Sequence, residues 1–203
     1  MKSLKTIKLG LSLISILTFI TITGFSQNDD DKILIQNFYQ SCKSDNYGAF
    51  NAVNKGIQLF DTKQYARSMK SFETALSKDD NYCDAWYLIG YCYQKTGDLD
   101  KAIEACDKAL AIESNNASAL IVKANTMFMK GDTLTAIELF TEAKELIPDK
   151  IDAYYGLALM LHYKGDNEKA MQILNEMDKN GAKTPNVRDN KKIKSLRKKA
   201  ADV

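Results

Sequence analysis

Proline occurs twice and glycine ten times in the 203 residues, too little of either for a linker-rich or low-complexity chain. Histidine occurs once, at His162. A single histidine excludes the two-histidine spacings of metal centres, and a lone histidine on a helix is far more often a packing or interface residue than a base. There is no HExxH run, no glycine-rich phosphate loop and no nucleophile elbow. The four cysteines contain no CxxC pair, so no thiolate metal site is spelled. Asp98, Asp100, Asp132 and Asp166 fall where helices should begin, and capping accounts for them without catalysis. These absences argue against an enzyme and call for no cofactor and no metal.

Charge is present in quantity but unevenly placed. Residues 27–187 hold 18 basic and 24 acidic side chains, whereas residues 188–203 hold 7 and 2. The net value of +2 therefore hides an acidic body and a basic tail. That tail lacks the interleaved aromatics expected of a nucleic-acid surface, so no nucleic-acid partner is expected. It reads as a solvated end helix, or as a contact for an anionic surface.

Residues 1–26 read as an export signal. Lys2, Lys5 and Lys8 precede a run from Leu9 to Ile22 that is apolar or hydroxyl-bearing, and Gly24 and Ser26 take the small-residue places of a cut before Gln27. The closing "GFSQ" resembles signal peptides of Bacteroidota. A leader retained as an anchor is the alternative, and membrane contact is expected only through it or through the basic tail. Either form puts the rest of the chain outside the cytoplasm, in the periplasm or cell envelope. Cys92 and Cys106 fall on apolar helix faces, where cysteine serves as a small hydrophobe, so buried free thiols are expected ahead of any disulfide among Cys42, Cys83, Cys92 and Cys106. Asn116-Ala117-Ser118 has the form of a glycosylation sequon.

The most informative pattern is a 34-residue period. Windows 49–82, 83–116, 117–150 and 151–184 align without a gap. Small residues then stack in columns: Gly56, Gly90, Ala124 and Ala158, followed by Ser68, Ala102, Ala136 and Ala170. A third column holds Ala75, Ala109 and Ala143, with Met177 ending it. Within Cys83–Asn116, Trp86, Ile89, Gly90 and Tyr93 recur at helical spacing, as do Ala102, Ile103, Cys106, Ala109 and Leu110. The turns "KTGDLD", "MKGDTL" and "YKGDNE" each supply a glycine for a left-handed stop and an aspartate for the next cap. The first repeat has "DTKQYA" instead, without glycine. Each unit is thus a helix pair, and the small columns mark close helix crossings.

Trp86, Ile89, Gly90, Tyr93, Ala102, Ala109 and the post-helical Pro148 resemble the tetratricopeptide repeat family. The likeness spans residues 49–184, with Ser68 and Met177 departing from alanine and Asp80 and Ser114 from proline. It implies an all-α fold, an α-solenoid wound as a right-handed superhelix of four helix-turn-helix repeats. Residues 27–48 would form an extension with a short capping helix at 32–43. Residues 185–203 would form a basic capping helix opened by Pro185, with Ile193, Leu196, Ala200 and Val203 as its apolar stripe.

The resemblance also implies which residues face the concave side. In the first repeat these include Phe50, Val53 and Ile57, and in the second Tyr87, Tyr91 and Gln94. The third offers Ile121, Asn125 and Phe128, and the fourth Tyr155, Leu159 and His162. So apolar a set on solvent-facing helix positions points to a groove for a peptide or protein partner, with Gln94 or Asn125 bonding its main chain. Val53 and Ile57 stand where carboxylate-binding relatives carry polar and basic residues, so recognition of a partner's C-terminus is not expected. Envelope assembly or secretion is the role such an exported scaffold suggests. A structural subunit working through its convex side or caps is the alternative.

Overall fold

The spacing of apolar residues produces nine α-helices and no strand among the described residues of the computed structural model, which are Cys42, 44–182 and 187–202. The expected export signal, the capping helix at 32–43 (Cys42 apart), Pro185 and Val203 lie outside them. α1 runs Tyr47–Asp61, α2 Tyr65–Leu76, α3 Cys83–Thr96 and α4 Leu99–Ile112. α5 spans Ala117–Met129, α6 Thr133–Leu146, α7 Ile151–Tyr163, α8 Asn167–Lys179 and α9 Val187–Ala201. α3, α5 and α7 begin 34 residues apart, while α1 begins two residues ahead of the expected 49. No helix among the described residues is long and apolar enough to cross a membrane.

Each helix packs on its sequence neighbour, and α3 also meets α5, α5 meets α7, and α7 meets α9. That second set of contacts lines α3, α5, α7 and α9 up on one side and makes the array an α-solenoid. The small columns are its closest contacts. Ala102, Ala136, Ala170, Ala75, Ala109, Ala143, Ala124 and Ala158 are fully buried. At Gly90 an added Cβ would lie 2.9 Å from the Ala102 carbonyl oxygen and 2.9 Å from Cys106 Sγ. Ser68 fits its alanine column because its hydroxyl donates to the Gly56 carbonyl at 2.7 Å.

Caps repeat with the helices. Asp98, Asp132 and Asp166 accept from the backbone N–H of Lys101, Thr135 and Lys169. Those bonds, with the paired Lys101 and Lys169 ammonium groups and the Thr135 hydroxyl, hold the three carboxyls below the usual range. Gly97, Gly131 and Gly165 turn with φ of 87°, 91° and 89°. In the first repeat Lys63 takes the same place at φ 59°, and Gln64 gives α2 no side-chain cap.

α9 closes the array. Ile193, Leu196 and Ala200 are buried, as the stripe requires. Arg197 ties α9 to α8, donating to the Leu174 carbonyl at 2.7 Å and to Asp178 at 2.7 Å.

Candidate interaction surface

The repeats divide the expected groove residues into two groups. Val53, Ile57, Tyr87, Tyr91, Gln94 and Ile121 are buried in the core rather than open to a partner. Tyr91 stacks on Phe60 with ring centroids 4.7 Å apart, and Lys95 lies over its ring at 5.0 Å. Gln94, expected to bond a partner's main chain, donates instead to the Val122 carbonyl at 3.0 Å and the Thr126 hydroxyl at 2.7 Å. The cause is the packing of α3 on α5: side chains facing the next repeat are consumed in joining it.

The second group keeps exposure. Phe50 is 43% exposed, near Tyr47 at 77%. Asn125, Phe128, Tyr155, Leu159 and His162 are half-buried. Phe128 of α5 and Tyr163 of α7 meet with centroids 5.2 Å apart, which continues the surface from the third repeat into the fourth. His162 Nδ1 lies 2.6 Å from Asn167 Oδ1, so the ring is oriented by a neighbouring amide.

Tyr155, Leu159, His162 and Tyr163 form one wall of a cleft of about 250 Å³. The other wall is α9, through Lys192, Ser195, Leu196 and Lys199. The sequence pattern marks α9 as a solvated end helix or a contact for an anionic surface, and does not pair it with the groove. The signal was present: a helix docked by Ile193, Leu196 and Ala200 must turn 192, 195 and 199 toward one flank.

A second cluster lies at the start of α3. Cys42 and Cys83 are joined as a disulfide with Cα atoms 5.6 Å apart, which overturns the expectation of four free thiols. The apolar-face reading holds for Cys92 and Cys106, which are free and buried. Burial pushes the Cys92 thiol up to about 12 and the Cys106 thiol higher still. Beside the disulfide, Asp84 is 6% exposed, and desolvation raises its carboxyl to about 7 against hydrogen bonds from the Cys42 backbone and Asn116. Asn116 donates to Cys83 Sγ at 3.1 Å while its Oδ1 caps α5 through the Ala119 N–H at 2.9 Å. Asn116 is fully buried, which removes the sequon from reach of glycosylation in the folded chain.

Known proteins share this architecture. The tetratricopeptide repeat family pattern matches residues 83–116 and again 151–177. A TPR repeat-containing protein of Methanocaldococcus jannaschii is 26% identical over 156 residues, covering 72% of this chain but only 27% of that protein. Among solved structures, a thermophilic TPR protein of Thermus thermophilus superposes with a TM-score of 0.62 at 18% identity, covering 75% of this chain and 80% of that one. The first TPR of Spaghetti (RPAP3), bound to the HSP90 peptide SRMEEVD, gives 0.54 at 16% identity, covering 58% and 94%. The matched family patterns and the helix pairs agree: residues 83–116 and 151–177 carry the tetratricopeptide repeat pattern within an α-solenoid.

Proposed function

We propose that this protein is an exported interaction scaffold that holds a peptide or protein partner against the α5–α7–α9 surface. One observation carries the reading. Phe128, Tyr155, Leu159 and Tyr163 remain accessible on adjoining helices and lead into a cleft large enough for one or two side chains. Aromatic anchors beside a cleft are the usual seat of binding energy. Tetratricopeptide repeats generally mediate protein–protein interaction, and the Spaghetti domain holds a peptide. Half of the concave residues are structural here, so binding concentrates in the third and fourth repeats.

The leader-like residues 1–26 support export to the periplasm or cell envelope, and the Cys42–Cys83 disulfide suits an oxidising compartment. A role in envelope assembly or secretion fits that location. The test is capture from an envelope extract by the native chain and by a Phe128→Ala, Tyr155→Ala, Tyr163→Ala variant of matched helicity. The variant is expected to lose a partner that the native chain retains. Equal capture by both would refute the surface.

A further inference from the structure

We infer that Cys42–Cys83 is a thiol–disulfide exchange site, attacked at Cys42 by a dithiol and releasing Cys83 as the leaving group. The two sulfurs stand in unequal surroundings. Cys42 is partly exposed, while Cys83 is fully buried, so an incoming thiolate reaches Cys42. Cys83 is the first residue of α3, where the unpaired backbone N–H groups of the opening turn favour negative charge. Asn116 Nδ2, 3.1 Å from Cys83 Sγ, donates toward the same charge. Asp84 Oδ1 lies 3.9 Å from that sulfur, and with its carboxyl raised to about 7 it carries a proton there in mildly acidic surroundings.

The exchange balances. A thiolate of the dithiol attacks Cys42 Sγ, the S–S bond breaks, and its electron pair leaves on Cys83 Sγ, which then takes up a proton. The second thiol of the partner displaces Cys42. The partner ends as a disulfide, oxidised by two electrons, and this protein as two thiols, reduced by two. Cys92 and Cys106 do not compete, because burial keeps both protonated.

The probe is glutathione with the purified, oxidised full-length chain, trapped by alkylation and mapped by peptide mass spectrometry. The mixed disulfide is expected on Cys42. Dithiothreitol reduction should slow about tenfold in Asn116→Ser, which keeps an α5 cap but cannot reach Cys83. Glutathione on Cys83, an unchanged reduction rate in a folded Asn116→Ser, or four free thiols in the oxidised protein would each overturn the inference. The mapping uses the native chain, so it decides the matter even if the variant fails to fold.

Discussion

Phe140 of α6 lays its ring across the backbone of Gly156 in α7, closer than a side-chain carbon at 156 would allow. Phe140 is 1% exposed, so the third repeat is keyed into the fourth by one ring and one missing methyl. Gly156→Ala is therefore expected to destabilise the chain by about 1–3 kcal/mol in urea unfolding. Adding Phe140→Leu should recover part of that loss. A double variant as unstable as the sum of the singles would show that the two residues do not meet.

Lys63 holds a left-handed conformation that glycine takes at 97, 131 and 165. A side chain at that φ costs on the order of 1 kcal/mol. Lys63→Gly is expected to raise stability by about 0.5–1 kcal/mol, and Gly97→Ala to lower it by a similar amount. Thermal melts of the two variants, moving in opposite directions, are the check.

Asp84 should give the fold a pH dependence of unusual sign for a carboxylate. Its folded value, about 7, lies above the ordinary 3.8, so the folded chain holds the proton more tightly than the unfolded one. Its favourable contribution is complete below about pH 4 and is lost as pH rises through 7. Asp84→Asn, which keeps an acceptor without the ionisation, should remove that slope and gain on the order of a few kcal/mol at pH 8. Tm against pH for both proteins tests it, and parallel curves would contradict it.

Gln94 is a stability residue. Gln94→Ala removes bonds to Val122 and Thr126 inside the second–third repeat junction and should cost about 1–3 kcal/mol. Tyr155→Ala, at a half-buried site on the cleft, should cost less while weakening partner capture. Denaturation curves and capture assays on the same two variants separate the roles.

Much of the fold was legible because the 34-residue period repeats local signals: the alanine columns, the Gly-Asp turns and the stripe through Ile193, Leu196 and Ala200. The surface was legible only in part. Period identifies which helix face Tyr91 and Tyr155 share, yet burial depends on what sits opposite. Tyr91 finds Phe60 there, whereas Tyr155 opens onto a cleft. The Cys42–Cys83 pair was illegible for a related reason. Its partners are 41 residues apart, and Cys42 precedes the repeats that set the register.

Binding at the α5–α7–α9 surface is the central claim, and site-specific photo-crosslinking tests it most directly. A photoreactive residue replaces Tyr163, 58% exposed at the cleft, or Tyr47, 77% exposed near the opposite end of the array. Irradiation of the folded proteins in their native compartment should give a discrete adduct from position 163 and none from 47. Adducts from 47 alone, or from neither position, would contradict a partner seated in the C-terminal cleft.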